Sequence, residues 1–294
     1  MNRITLAIGL GIVALIPRVG PLHAQAKQPL TFDTFLALQI VGDPQLSPDG
    51  ASVAFTVTVP SLQDNRGVTR IWVVPATGGT PRQITSGPGS DMSPRWSRDG
   101  ASLWFIGTRG GSPQVWRIAP SGGDAVQLTT IESGVNSFYP SPDGNTLFIT
   151  SDVKWPAGDQ EIDRRNGPYP TQAKIWDDLY YRHWNEWRVG QRSHLLRWDV
   201  ASKTLTDLTP IDHDVPTLAL GGADIAVAPN GVEVAVVYNP DQEVAQSTNN
   251  DVFVVGSAGG TPQPITTRRG KPIAFKIAKA SAEAAPGASR ADAG

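Results

Sequence analysis

A tight turn followed by an alternating apolar strand recurs four times in this sequence, and this repeat constrains the fold more than any other feature. The four copies are SPDGASVAFTVT (Ser47–Thr58), SRDGASLWFIGT (Ser97–Thr108), SPDGNTLFITS (Ser141–Ser151) and APNGVEVAVVYN (Ala228–Asn239). In each copy an Asp or Asn precedes a glycine, which can take the left-handed conformation that closes the turn. Each copy therefore predicts a β-hairpin.

A second repeated segment alternates with the first. Its copies are IWVVPATGGTPRQIT (Ile71–Thr85), VWRIAPSGGDAVQLT (Val115–Thr129), LLRWDVASKTLTDLT (Leu195–Thr209) and VFVVGSAGGTPQPIT (Val252–Thr266). Each is a strand, a turn and a short strand ending in threonine, which is again a hairpin. Two hairpins give four strands in about 44 residues, the size of a β-propeller blade. The predicted fold class is all-β: a β-propeller of four-stranded blades, with about four blades present and the ring incomplete.

Two other all-β folds compete with this prediction. A β-sandwich could also use four-stranded units, but near-identical turns at a spacing of about 44 residues favour radial repetition. A true WD-repeat propeller would place Trp-Asp at each blade end. Here Trp176-Asp177 lies in an insertion and Trp198-Asp199 in a predicted strand, so the repeat is at most WD-like.

Charge and cysteine content exclude several classes of function. The chain has 25 Lys and Arg against 27 Asp and Glu, so a strongly basic surface for binding nucleic acid is not expected. Cysteine is absent, which excludes disulfides, thiolate zinc sites and a cysteine nucleophile. The hydrophobic fraction of 39% is enough for a packed core.

The two ends of the chain differ from the repeats. Residues 1–26 resemble a secretory signal peptide, with Arg3 before an apolar run and small residues at Ala24 and Ala26 for cleavage. This predicts a periplasmic or secreted protein with no membrane attachment after cleavage, although an uncleaved anchor is the alternative. The blades are assigned to residues 27–267. Residues 268–294 are rich in alanine and are predicted to be a disordered tail.

An insertion at about residues 152–193 interrupts the regular spacing of the blades. Its segment from Ile175 to Arg188 is densely aromatic and could form a short helix, with Trp176, Tyr180 and Trp184 along one side. Two interpretations are open. The aromatic residues either form the wall of a substrate pocket or a docking surface, or they are the buried face of a plug packed on the propeller rim.

The paired repeats resemble the WD-like propellers of two exported families. One is the propeller of the Tol translocation system. The other is the N-terminal propeller of prolyl oligopeptidase-type serine peptidases, in the dipeptidyl-peptidase and acylaminoacyl-peptidase branch. Two stretches favour the peptidases: FDTFLALQIVGDPQLSPDG (Phe32–Gly50) and KIWDDLYYRHWNEWRVGQRSHLLRWDV (Lys174–Val200).

The resemblance to the peptidases implies a role in substrate binding. The propeller of such an enzyme restricts entry to short peptides and works beside a C-terminal α/β-hydrolase domain. On this resemblance Glu186 is the candidate carboxylate for a peptide's N-terminal ammonium, and Arg182 could hold a carbonyl or carboxylate. Tyr180, Trp184 and Trp187 would supply the aromatic wall.

The sequence predicts no catalytic residue, cofactor or metal site. No G-x-S-x-G nucleophile elbow occurs, and no glycine-rich phosphate loop follows a strand. The chain alone is therefore expected to be inactive as a hydrolase. The alternative function is a stand-alone Tol-type binding module in the periplasm, and a third hypothesis is a remnant of a disrupted gene. Four blades would leave open edges, through which oligomers or aggregates are expected.

Overall fold

The computed structural model describes residues 29–63, 65–155, 182–183, 186–187, 190–218, 224–242 and 244–266. In these residues four antiparallel sheets, each of four strands in chain order, account for nearly all of the regular structure. The predicted all-β fold of four-stranded blades is confirmed. The sheets are called blades one to four below.

The strands follow the two repeated hairpins of the sequence. Blade one contains β1 (Ile40–Leu46), β2 (Ser52–Ser61), β3 (Arg66–Pro75) and β4 (Arg82–Gln83), and blade two contains β5 (Asp91–Trp96), β6 (Leu103–Gly107), β7 (Gln114–Ile118) and β8 (Val126–Gln127). Blade three contains β9 (Ser137–Pro140), β10 (Thr146–Lys154), β13 (Gln191–Asp199) and β14 (Leu205–Asp207). Between β10 and β13, a separate hairpin is formed by β11 (Arg182–His183) and β12 (Glu186–Trp187). Blade four contains β15 (Ile225–Val227), β16 (Glu233–Tyr238), β17 (Asp251–Gly256) and β18 (Gln263–Pro264), with a 3₁₀ turn at Val244–Gln246.

The repeated turns are closed by hydrogen bonds within the Ser-x-Asp-Gly motif. In blade three the Ser141 hydroxyl donates to Asp143 Oδ1 at 2.5 Å and accepts the Thr146 N–H at 3.0 Å. Gly144 has a φ of 72°, the left-handed conformation that the turn requires. The same serine-to-aspartate bond occurs in the turns of blades one and two. The motif therefore fixes where each first strand ends and the second begins.

Successive blades pack face to face through three apolar cores. Between blades two and three, Ile106 packs in a cluster with Leu147 and Ile149. The neighbouring residue Phe105 points the other way, into the core shared with blade one, and Phe148 points into the core shared with blade four. The middle strands are thus buried on both faces, which explains why they read as continuous apolar runs.

A short helix precedes the blades in a separate compact unit, which ends at residue 38. This helix, α1 (Phe32–Leu36), begins at Thr31, whose hydroxyl accepts the Thr34 N–H at 3.2 Å. The Thr34 hydroxyl in turn accepts the Thr31 N–H, which completes a capping box. Among the described residues, no helix combines the length and the apolar character needed to cross a membrane.

The helix predicted for the insertion is wrong where the structure describes it. Arg182 pairs with Trp187, and His183 pairs with Glu186, in an antiparallel hairpin. Short aromatic segments satisfy the periodicity of a helix and of a strand almost equally well. Tryptophan favours strands, so the local preference of Trp187 agrees with the observed hairpin better than with the predicted helix.

Candidate functional site

The insertion leaves and rejoins blade three at one end of the sheet. β10 and β13 pair continuously from Thr146 with Asp199 to Lys154 with Gln191, so the insertion begins at the far end of this ladder. The segment of residues 208–218, called the connecting segment below, runs from this end of blade three to blade four. Along it, the Val215 N–H donates to the Ser193 carbonyl at 2.6 Å, and the Thr217 N–H donates to the Val237 carbonyl at 3.3 Å.

A cavity of about 170 Å³ opens at this end, between the connecting segment and the loop that joins β16 to β17. Most of the residues that line it are polar by type: one carboxylate, two amides and three hydroxyls stand beside two apolar side chains. These residues are Asp214, Thr217, Leu218, Asn239, Val244, Ser247, Thr248 and Asn250. This set is called the pocket below. Its size suits a single side chain or a chain terminus.

The β16–β17 loop is held in one shape by its own hydrogen bonds. Asn239, which is 3% exposed, donates its backbone N–H to the Thr217 hydroxyl at 2.8 Å and its side-chain amide to the Ser247 carbonyl at 3.2 Å. The Asp241 carboxylate accepts the Ser247 hydroxyl at 2.5 Å and the Asn249 amide at 3.0 Å. Because these bonds join both ends of the loop, the pocket wall is organised before any ligand arrives.

The charge at the pocket comes from Asp214 on the connecting segment. Its Oδ1 accepts the Ser193 N–H at 2.7 Å, which fixes the carboxylate beside the start of β13. The nearby Asp212 instead pairs with Arg192 at 2.9 Å on the exposed surface. A carboxylate among amides and hydroxyls suits a polar group that donates hydrogen bonds, such as an ammonium.

The structure places only part of the predicted site. Tyr180 and Trp184 lie outside the described residues, and Glu186 is placed through its backbone pairing with His183. Arg182 and Trp187 come together, with the guanidinium carbon 6.0 Å from the ring centroid. Trp187 is 51% exposed, so this side chain is on a surface rather than in a buried plug.

Sequence reasoning missed the pocket itself. Its residues come from two segments that are distant in the chain, and neither carries a motif of known chemistry. The available signal was the density of Asn, Asp and Ser in residues 239–251, which is typical of a loop stabilised by side-chain-to-backbone bonds. In the part of the chain that the structure describes, no three His, Asp or Glu side chains form a metal-binding group.

Residues 36–166 match the TolB beta propeller domain family. The match covers a little under half of the chain and lies within the first three blades. Dipeptidyl-peptidase 5 of Porphyromonas endodontalis is 30% identical to the chain over 244 residues, which are 81% of this chain and 35% of that protein. The Tol-Pal system protein TolB of Bordetella pertussis is 41% identical over 59 residues, which are 20% of this chain and 14% of that protein.

The fold of the propeller domain is also found in solved peptidase structures. The Pyrococcus horikoshii acylaminoacyl peptidase superposes with a TM-score of 0.55 at 15% identity, covering 80% of this chain and 33% of that one. The similarity to peptidase propellers that the sequence motifs indicate is therefore confirmed. The chain spans between 35% and 38% of the length of the dipeptidyl-peptidase relatives.

Proposed function

We propose that this propeller domain is the substrate-gating part of an exported prolyl oligopeptidase-type serine peptidase that acts on short peptides. The observation that carries the proposal is the extent of the similarity. A dipeptidyl peptidase aligns with most of the chain, whereas TolB of Bordetella pertussis aligns with 59 residues. The insertion between β10 and β13 supports the same choice, because its sequence resembles that of the peptidase branch.

The site suggests how a peptide is bound. The hairpin of β11 and β12 belongs to the insertion, and the insertion leaves blade three at the end of the sheet where the pocket lies. In this proposal Glu186 accepts the N-terminal ammonium of the peptide, and Arg182 holds a carbonyl or carboxylate oxygen. Exposed Trp187 supplies an apolar wall. In this proposal the nucleophile, its base and the oxyanion hole belong to a hydrolase domain, and the residues of the propeller take part in binding the peptide.

The alternative is a stand-alone Tol-type module that binds a protein partner. The segment shared with the Bordetella TolB supports it. The two functions differ in ligand size, because a gate for short peptides binds di- to tetrapeptides by themselves, whereas a Tol-type module needs a folded partner.

Calorimetric titration of the purified chain with short peptides tests the proposal. We expect binding of peptides with a free N-terminus and weaker binding of their N-acetylated forms. Glu186→Gln should reduce affinity for the free peptides about tenfold or more, as expected for the loss of a charge-assisted hydrogen bond. The matched control is Glu233→Gln, which makes the same change on an exposed residue at the opposite end of blade four. Equal affinity of Glu186→Gln and the unaltered chain would contradict the role of Glu186, and no peptide binding at all would contradict the gate.

A further inference from the structure

The part of the sequence that contains blade four has acidic residues but no lysine or arginine. Between residues 204 and 267 there are eight aspartates and glutamates, and neither of the two basic residue types occurs. The part that contains blades one and two is different, because seven arginines lie between residues 39 and 131 against six aspartates. A surface whose charges share one sign raises the local concentration of ligands of the opposite sign. Blade four is therefore the part of the chain that favours a cationic ligand.

The pocket between blades three and four presents a carboxylate at a concave site in this acidic region. The carboxylate is that of Asp214, and the described residues of the lining include no lysine or arginine. Of the neighbouring acids, Asp212 is paired with Arg192 at 2.9 Å, and Asp241 accepts the Ser247 hydroxyl within the β16–β17 loop. Asp214 is thus the acidic group with which a ligand in the pocket can interact directly.

Two of the other polar lining residues form the wall of the pocket. The Asn239 side chain donates to the Ser247 carbonyl at 3.2 Å and accepts the Asp241 N–H at 3.0 Å. The Ser247 hydroxyl donates to Asp241 and accepts the Asn249 N–H at 3.1 Å. Because these groups bond within the loop, they set the shape of the cavity and leave its ligand to other residues.

The remaining side chains suit a primary ammonium group on an apolar stem. An ammonium is a compact charge with three N–H donors, each of which can meet a different acceptor. The Asp214 carboxylate, the Thr248 hydroxyl and the Asn250 amide oxygen are acceptors on the same lining, and Thr248 and Asn250 are exposed. Leu218 and Val244 offer apolar surface to the methylene groups of such a ligand.

The position of Asp214 is less suited to a guanidinium. The planar fork of a guanidinium binds best when it meets both oxygens of one carboxylate. Oδ1 of Asp214 already accepts the Ser193 N–H at 2.7 Å, so one of the two oxygens is engaged with β13. An ammonium needs only one oxygen for each donor, and the same arrangement can bind it.

We propose that the pocket binds a primary ammonium group, supplied by a lysine side chain or by the N-terminus of a peptide. That the carrier is a peptide rests on the proposed function, whereas recognition of the ammonium does not. The apolar residues Leu218 and Val244 favour lysine, because an α-ammonium has no chain of methylene groups to place against them. In the proposed gate the pocket then selects peptides that contain lysine, while Glu186 holds the N-terminus.

Calorimetric titration of the purified chain with three small amides tests the ligand class. Nα-acetyl-lysine methylamide carries only the side-chain ammonium, alanine methylamide carries only the α-ammonium, and Nα-acetyl-norleucine methylamide has the apolar stem without a charge. We expect the lysine amide to bind about tenfold or more tightly than the norleucine amide, the effect of a charge-assisted hydrogen bond. Tightest binding of the alanine amide would instead identify the N-terminus as the source of the ammonium. Equal binding of all three amides would overturn the proposal.

Variants of the pocket show whether the ammonium binds there. Asp214→Asn should weaken binding of the lysine amide about tenfold or more, and it preserves the fold because the asparagine Oδ1 can still accept the Ser193 N–H. Asp212→Asn is the matched control, since it removes a carboxylate two residues away that is paired with Arg192. Thr248→Trp keeps every charge but fills the exposed side of the cavity, and it should abolish binding. Equal affinity of Asp214→Asn and Asp212→Asn would overturn the proposal.

Amide NMR locates the bound ligand and separates this proposal from the proposed function. The Ser193 N–H and the Asn250 side-chain amide should shift when the lysine amide is added, and the N–H of Glu233 at the opposite end of blade four should not. Shifts confined to residues outside the pocket would overturn the proposal. So would affinity for lysine-containing peptides that depends on Glu186 but not on Asp214. Binding of the lysine amide through Asp214 without any binding of short peptides would support the pocket and contradict the gate alone.

Discussion

At the scale of single residues, the repeated turn depends on one serine–aspartate contact. The Ser141 hydroxyl, followed by the Asn145 backbone N–H, holds the pKa of the Asp143 carboxyl below its usual value. Ser47 and Ser97 do the same for Asp49 and Asp99 in the first two blades. A lowered pKa in the folded state means that the charged carboxylate is the form that the turn stabilises. This contribution is present above the ordinary aspartate pKa of about 3.9 and is lost as the pH falls below it.

Ser141→Ala should therefore destabilise the domain by about 0.5–1.5 kcal/mol at neutral pH, since it removes a bond to Asp143 and leaves the Thr146 N–H without its acceptor. The difference should shrink as the pH falls through the lowered pKa of Asp143, because the protonated carboxyl no longer favours the turn. Urea unfolding at neutral pH and near pH 2 measures both values. Ser112→Ala, on an exposed residue whose hydroxyl contact is 3.5 Å long, is the control and should have little effect. A loss of stability that does not change with pH would argue against the aspartate's part in the turn.

At the scale of elements, the strands were predictable because two signals agree along each blade: the residues typical of turns and the pattern of apolar residues in the strands between them. The Ser-x-Asp-Gly and Gly-Gly turns mark the strand ends, and the apolar runs mark which strands are buried on both faces. The hairpin at Arg182–Trp187 was not predictable by the same reasoning. Its six residues, which include two tryptophans, fit the periodicity of a helix and that of a strand equally well. The pocket was not predictable either, since Asp214 and Asn239 meet only through the packing of blade three on blade four.

The packing of the blade cores gives the prediction at the scale of elements. Phe105 is completely buried in the core between blades one and two, so Phe105→Ala should destabilise the domain by about 3–5 kcal/mol. Val126→Ala removes apolar atoms from a residue of the same blade that is 52% exposed, and it should be nearly neutral. Thermal or urea unfolding compares the two variants. Equal effects would mean that the faces of blades one and two do not pack as described.

At the scale of the whole molecule, fold and function rest on different evidence. The repeats, the sheet order and the match of residues 36–166 to the TolB beta propeller domain all agree on the propeller. The chain is similar in sequence both to dipeptidyl-peptidase relatives and, over a shorter segment, to TolB, so the propeller fold alone does not choose between a peptide gate and a partner-binding module. The choice depends on whether the site at the insertion end binds short peptides and on whether the native polypeptide also carries a reactive serine.

The central claim is that this propeller works as part of a serine peptidase, and the native gene product tests it most directly. The native protein would be isolated from its source cells with an antibody against the blades. Its intact mass would be measured, and it would be treated with a serine-directed fluorophosphonate probe. The proposal predicts a longer polypeptide that contains these blades and reacts with the probe at a serine outside them. A native protein of this length that the probe does not label would contradict the claim and favour the Tol-type module.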